Sequence, residues 1–452
     1  MADHSFDAIV LGAGPAGEVA AGRCAERGLK VALVESELVG GECSFWACMP
    51  SKALLRPAVA VDEARRVPGA GEAASLDVGA ALRRRDAVIH DLSDDVQLPW
   101  IEKRGISLFR GYGRLDGERR VRVGSDRLTA RRAVFLATGS RAAMPPIPGL
   151  ADVGAWDNRK GTTAKEVPAS LLILGGGVVG VELAQAWSSL GARVTLVEAV
   201  DRLLVNEEPF AGEEVAESLR ARGVDLRLGA KAAAARLQDG RRVLELEGGD
   251  TVAGDELMVA VGRSPRTQDI GLETVGLKGG GWVEVDDRMR VPGQDWLYAV
   301  GDVNARVLLT HMGKYQARVA VDVMCGRDVR VQEDGLSSPR VVFTEPQVAA
   351  VGLTLARARE QGLQVRALDK PSGATAGASF HGRNAVGTSR LIVDEERRVL
   401  VGATFTGVDV DEWLHAATVA IVGRVPLERL WHAVPAFPTR SEVWLKLLED
   451  LD

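Results

Sequence analysis

Cysteine is scarce in this chain: 452 residues hold four, Cys24, Cys43, Cys48 and Cys325. That is too sparse for the disulfide framework of a secreted scaffold. Long apolar runs are also missing. The longest, 171–181, is broken by glycines and stops at Glu182, short of the roughly 20 residues a membrane span needs. No basic surplus exists either, since 56 Lys and Arg face 62 Asp and Glu for a net charge of -6, and they are interspersed. A nucleic-acid footprint is therefore not expected, and small-molecule chemistry is. The first residues lead from Asp3 into Ile9, Val10 and Leu11 without the basic start and cleavage site of a secretory leader, so the expected location is cytoplasmic. What remains is ordinary globular usage, 46% hydrophobic and 26% charged, in a chain too long for one core.

Cys43 and Cys48 stand five residues apart. In a reducing compartment such a pair is catalytic, redox-sensing or metal-binding more often than a structural staple. No second Cys or His pair sits nearby at zinc spacing, so no metal is expected. Cys24 reads as packing within a helix, and Cys325 as lying in or just after one.

Two stretches repeat one layout of strand, glycine turn, helix, strand and acid. In the first, Asp7 to Leu11 reads as strand, Gly12, Gly14 and Gly17 as turn, Glu18 to Glu26 as helix and Lys30 to Val34 as the returning strand, closed by Glu35. In the second, Ser170 to Leu174, then Gly175, Gly177 and Gly180, then Val181 to Leu190 and Arg193 to Val197 run the same course to Glu198. The first glycine permits the turn, the second lets backbone approach a pyrophosphate, and the third allows close helix packing. The helix N-terminus then offers unpaired N–H groups to phosphate, while the acid accepts from a ribose diol. Two such units imply two dinucleotides, FAD and a nicotinamide nucleotide. A carboxylate at Glu198 disfavours a 2′-phosphate and points to NADH, with Arg202 nearby keeping NADPH as the alternative.

Ala133 to Gly139 and Trp296 to Val300 read as further strands, the second ending at Gly301 and Asp302, whose carboxylate suits a polyol. A Pro-rich crossover, Met144 to Pro148, marks the chain leaving one domain. Beyond Gln332, segments such as Arg340 to Phe343 and Leu391 to Asp394 read as antiparallel strands with helices. The expected class is α/β, with two Rossmann-like dinucleotide-binding domains and a C-terminal α+β dimerisation domain.

The segment Gly40-Gly41-Glu42-Cys43-Ser44-Phe45-Trp46-Ala47-Cys48-Met49-Pro50-Ser51-Lys52 follows the first nucleotide unit directly. A regular helix sends residues five apart to divergent faces, so linking these two sulfurs requires a distorted first turn. A thiolate near a helix start and near Lys52 is expected to have a lowered pKa. The pair suits electron relay.

These residues resemble the active-site motif of the pyridine nucleotide-disulfide oxidoreductases, the family of glutathione reductase, dihydrolipoyl dehydrogenase and mercuric reductase. The resemblance covers essentially the whole chain. It extends to Ala137-Thr138-Gly139-Ser140, Gly175 to Glu182, Val261-Gly262-Arg263-Ser264-Pro265, Tyr298-Ala299-Val300-Gly301-Asp302, Phe343-Thr344-Glu345-Pro346 and Val351-Gly352-Leu353-Thr354.

The resemblance implies a redox-active Cys43–Cys48 disulfide, with Cys48 against the flavin and Cys43 facing the substrate. Lys52 and Glu182 match the family's pair near flavin N5, and Asp302 matches its ligand to the ribityl or pyrophosphate part of FAD. Pro15, Ala16, Gly41, Ala137, Thr138, Gly139, Val178, Val179, Gly262, Arg263 and Gly301 are likewise expected at the cofactors. The implied domains are an FAD domain at 1–152 resumed at 267–331, an NAD(P) domain at 153–266 and an interface domain at 332–452, in a homodimer.

One departure stands out. Where the family carries its acid-base His, oriented by a Glu matching Glu442, this chain has Phe437, which moves no proton. His432, five residues away, is a poor substitute, and His311 and His415 read as structural. Phe45, Trp46 and Phe437 are a candidate apolar pocket. A positioned acid contributes about 10²- to 10⁴-fold to such steps. The missing His therefore favours an acceptor needing little protonation: a low-pKa thiol disulfide, a quinone or a metal ion. The expected function is electron relay from NADH through FAD to the cysteine pair and a small acceptor. Two rivals are a quinone reductase or diaphorase with accessory cysteines, and a redox-sensing flavoprotein.

Overall fold

A computed structural model of the chain describes residues 2–71, 73–332, 334–382 and 385–451. In chain order the elements that build the site are β1 (Asp3–Leu11), α1 (Pro15–Glu26), β2 (Val31–Glu35), α2 (Gly41–Phe45), α3 (Cys48–Arg66), β3 (Asp126–Leu136), β4 (Ser140–Ala142), β5 (Ser170–Leu174), α4 (Val178–Ser189), β6 (Arg193–Val197), β7 (Glu256–Val259), β8 (Arg263–Pro265), β9 (Leu297–Ala299) and α5 (Thr310–Met324). They belong to two compact units, one comprising 1–50, 86–143 and 263–335, the other 51–85, 144–262 and 336–452.

In the first unit, β2, β1, β3 and β9 run parallel in that spatial order, Leu11 pairing with Val34 on one side and Leu136 on the other. Apolar residues fill Val31–Val34 of β2 and the last four positions of β1 and β3, Ala8–Leu11 and Ala133–Leu136, as a sheet covered on both faces requires. Residues 120–123 and 113–115 add an antiparallel edge, and β4 pairs antiparallel with β8 outside the main sheet. One core face buries Val10, Leu33, Phe135 and Tyr298 against α1 and α5, and the other buries Leu11, Val34 and Leu136.

The second unit holds a parallel sheet ordered 225–227, β6, β5, β7, with Trp187 of α4 wholly buried against it. A three-stranded antiparallel meander spans 232–254. Its C-terminal part is a five-stranded antiparallel sheet, 340–342, 347–352, 399–407, 388–394 and 365–371 in spatial order. Helices 414–422 and 443–448 cover one face of that sheet, closing over Phe405, Trp413 and Trp444. Among the described residues, no helix is long and apolar enough to cross a membrane.

Both nucleotide-turn helices begin three residues earlier than the spacing predicts. α1 starts at Pro15 and α4 at Val178, each capped by the middle glycine with no side-chain cap. The third glycine is thus a helix residue. A Cβ on Gly17 would lie 1.9 Å from the Gly12 carbonyl oxygen, and a Cβ on Gly180 would lie 1.9 Å from that of Gly175. The first glycines adopt φ of +99° and +111°, with backbone carbonyls of Ala137 and Ala260 where a Cβ would be. The middle ones, Gly14 and Gly177, face open space.

This separation of roles is testable by thermal and chemical melts. Gly180→Ala is expected to destabilise the protein by about 1–3 kcal/mol, because the added methyl overpacks a backbone contact. Gly177→Ala is expected to stay within about 0.5 kcal/mol of the parent.

Candidate active site

The two cysteines come together through a break between helices. α2 ends at Phe45, Trp46 turns away with φ -135° and ψ 1°, and α3 begins at Cys48. This is the distortion that a five-residue spacing demands. In the structure the two cysteines stand as free thiols. Thr310, at the start of α5, donates its hydroxyl hydrogen to the Cys43 sulfur at 3.1 Å, and its oxygen lies 3.5 Å from the Cys48 sulfur.

Cys43 differs from the sequence expectation. Its pKa is raised rather than lowered, first by a hydrogen bond with Cys48, then by burial and the neighbouring sulfur's charge, with Thr310 and Lys314 opposing. A reduced pair shares one proton more readily than it loses two.

The first unit also builds a polar cradle. Ser140 Oγ donates to Asp302 Oδ2 at 2.5 Å, Arg263 Nε donates to Ser140 Oγ at 2.5 Å, and Arg263 stands 3.8 Å from Asp302. Burial pushes the Asp302 carboxyl up, against the pull of Ser140 and Arg263. Glu42, beside Cys43, accepts from Arg266 at 3.0 Å and faces Arg263 at 3.8 Å. Gly301 has φ +77° and donates its N–H to Gln316.

Glu35 and Glu198 occupy matching places. Glu35 accepts from the Ala13 and Glu37 amides, both at 2.7 Å, and Glu198 from the Gly176 and Val200 amides at 2.5 and 3.1 Å. Each acid therefore ties its strand tip to the glycine turn. These residues fit dinucleotides: Gly14 and Gly177 leave open space, and the Thr138 hydroxyl is buried without a partner. Gly41, with φ +59°, would bring a Cβ within 2.8 Å of the Gly14 Cα. Val178 and Val179 are exposed on the first turn of α4.

In the second unit, Lys52 Nζ reaches both oxygens of Glu182, at 3.0 and 2.7 Å. Glu182 is 3% exposed and also accepts from the Phe343 amide at 3.0 Å and from Ser51 at 3.4 Å. The Lys52 ammonium sits 4.7 Å from the centre of the Phe343 ring. Glu442 accepts from the Ala376 amide at 2.9 Å and lies 3.6 Å from Lys446. Phe437 is 78% exposed, so it lines no apolar pocket in the single chain, whereas Phe45 is buried with its ring 5.8 Å from that of Trp46. His311, His415 and His432 are all exposed.

Comparison with known proteins decides the family. The profile of the pyridine nucleotide-disulphide oxidoreductases matches residues 6–321, and that of their dimerisation domain matches 338–448. The chain belongs to this family. It is 34% identical to a dihydrolipoyl dehydrogenase of Thermus scotoductus over 99% of this chain and 97% of that one. It is 29% identical to a mercuric reductase of Staphylococcus aureus, over 97% and 81%. Among solved structures it resembles the HOCl-induced flavoprotein disulfide reductase RclA of Escherichia coli, with a TM-score of 0.87 and 26% identity over 99% of this chain and all of that one. The enzyme is accordingly an FAD-dependent oxidoreductase with Rossmann-type nucleotide folds, and members of its family use FAD and NAD(P)H.

Thr310 was not foreseen from the sequence. It lies 262 residues beyond Cys48, after an apolar run, with no motif of its own; only β9, Gly301 and the following helix hinted that the chain returns here. Glu18, on the first turn of α1, was also missed. Burial raises its pKa to about 7, and the Glu35 charge adds to the rise while Lys314 opposes it.

Three outcomes follow from these surroundings. Lys52→Met strands a buried carboxylate and is expected to destabilise by about 3 kcal/mol. Glu182→Gln keeps the shape and leaves Lys52 hydrated, for about 1 kcal/mol, measured by denaturant unfolding. In FAD-free protein, Glu18 titrates near 7 instead of 4.5. Its contribution is fully present below the lower value and is lost as pH rises through the upper one. Glu18→Gln is expected to flatten that decline in melting temperature.

Proposed function

We propose that the protein relays electrons from NADH to a small acceptor through the Cys43–Cys48 pair. The observation that carries this reading is the single hydroxyl of Thr310 touching both sulfurs, in a unit that also contains a complete dinucleotide turn. FAD, when bound, supplies the step between two-electron hydride chemistry and the thiols. In this reading Gly12, Gly14, Gly17, Glu35, Thr138 and Asp302 hold it. Gly175, Gly177, Gly180 and Glu198 hold the nicotinamide nucleotide, and Lys52, fixed by Glu182, is the cation that favours reduced flavin. The domains proposed at 1–152 with 267–331, at 153–266 and at 332–452 carry these roles.

NADH is favoured over NADPH because Arg202 already donates to the carbonyls of Glu207 and Val205, at 3.2 and 2.7 Å, within its own loop. Glu198 repels a 2′-phosphate. Exposed Val419, Val422, Trp431, Val434 and Phe437 support a homodimer built on the C-terminal sheet domain. The proposed location is the cytoplasm.

Phe437 shapes the choice of acceptor. With no imidazole to protonate a departing thiolate, the chemistry favours an acceptor whose reduced form leaves as a stable anion or needs no proton: a low-pKa disulfide, a quinone or a metal ion. The metal-ion option gains from the related reductase, whose solved structures include a Cu(II) complex. Among the described residues there is no three-ligand His, Cys, Asp or Glu cluster to retain a metal, so a metal would act as a passing substrate.

Cys43→Ser decides between relay and direct flavin chemistry. Reduction of a dithiol-dependent acceptor by NADH is expected to fall by roughly 10³-fold, while ferricyanide reduction persists. Unchanged turnover of the physiological acceptor would make the cysteines accessory.

A further inference from the structure

The segment that joins Glu35 to α2 is held by two residues that the electron relay does not use. Residues 36–40 form no helix or strand, yet Val39 is wholly buried. The Gly40 N–H donates to the Ala13 carbonyl at 2.8 Å, and a Cβ on Gly41 would lie 2.8 Å from the Gly14 Cα. The segment therefore lies against the first glycine turn, beside the open space at Gly14, and leads directly into α2 and Cys43.

A second set of contacts closes a ring around the same segment. Asp94, 8% exposed, accepts from the Val39 amide at 2.7 Å and pairs with Arg110 at 2.6 Å. Arg110 in turn donates to the Glu37 carbonyl at 3.1 Å. It ends the strand 107–110 directly beside Glu35 of β2, so the sheet itself places it. Burial opposes ionisation of Asp94, but the Arg110 guanidinium and the Val39 N–H outweigh it and hold the carboxyl below its usual value.

Asp94 is delivered by a strained piece of backbone. His90, Asp91 and Leu92 take φ of +49°, +49° and +62°, three consecutive left-handed residues without a glycine. L side chains adopt that conformation at a cost, and it persists only where the surroundings fix it. The Leu92 N–H donates to the Ile89 carbonyl and the Ser93 N–H to that of His90, both at 2.9 Å, after which Ser93 returns to extended backbone. The turn thus redirects the chain just before the one carboxylate that meets Val39.

We propose that Asp94 and Arg110 are a latch on segment 36–41, positioning residues that slow the escape of FAD from the first glycine turn. The proposal rests on the reading of that turn as the FAD site. With the ring intact, the backbone beside Gly14 is fixed at Glu37, Val39 and Gly40 before any dinucleotide arrives, so little ordering is left for binding to do. With Asp94 removed, the Val39 amide has lost its acceptor and Arg110 its anchor, and the segment is free to move away from Gly14.

The rate of FAD release from the purified holoprotein tests this, read as the rise in free-flavin fluorescence in guanidinium chloride below the unfolding transition. Asp94→Ala is expected to release FAD roughly tenfold faster than the parent. Asp94→Asn, which keeps an acceptor for Val39 but no charge for Arg110, is expected to shift the rate by a smaller factor in the same direction, and it decides the question if the Ala variant does not fold. Arg110→Gln is also expected to speed release, with the Asp94→Ala/Arg110→Gln pair slower than the product of the two single effects, because both act through one ring. Leu128→Ala, a cavity in the sheet core of the same unit, is expected to lower the melting temperature and keep the parental release rate. Parental release from the Asp94 variants, or equal acceleration in Leu128→Ala, overturns the latch and leaves the glycine turn as the FAD site. A parent protein that binds no FAD overturns that reading and the latch together.

Discussion

Two sulfur atoms five residues apart meet here because a helix is interrupted between them. Had α2 continued through Trp46 and Ala47 into α3, Cys43 and Cys48 would point to different faces. The break turns both toward one place, where the hydroxyl of Thr310 reaches each of them. Thr310 is itself placed by β9 and the turn at Gly301, so the relay pair depends on a sheet completed by residues almost 300 positions apart. The rest of the first unit can be read as the support for that meeting.

Proton economy follows from the same contact. As thiols the two sulfurs share a hydrogen bond in partly buried surroundings, which raises Cys43 and opposes a second negative charge beside the first. A pair in this state holds a proton well and gives it up only when the sulfurs are joined or one is drawn away. Without an imidazole at position 437, that proton has no obvious relay to a departing group. This is why the surroundings of the cysteines favour acceptors that demand little protonation.

Much of this was legible in the residues. Both βαβ units read correctly from glycine spacing and the closing acids, because a Cβ at the third glycine would collide with backbone wherever the fold is used. The starts of the helices were misplaced by one turn for the same reason: a glycine that looks like a turn residue is, in three dimensions, a helix residue packed on a carbonyl. The Lys52–Glu182 ion pair was legible only by family resemblance, since 130 positions separate its members. The place of Thr310 between the two sulfurs and the bonds that join Ser140, Asp302 and Arg263 were not legible. Each depends on which strand returns to which sheet, and local periodicity carries no such information. The thiol's charge preference was misjudged too, because helix position was weighed and the second sulfur was not.

The most direct measurement of the central claim is an anaerobic titration of the purified protein with NADH while flavin absorbance is followed. After two electrons, a long-wavelength charge-transfer band is expected, arising from a Cys48 thiolate against oxidised flavin, and it should be absent from Cys48→Ser. Direct bleaching of the flavin with no such band in the parent protein would contradict the relay.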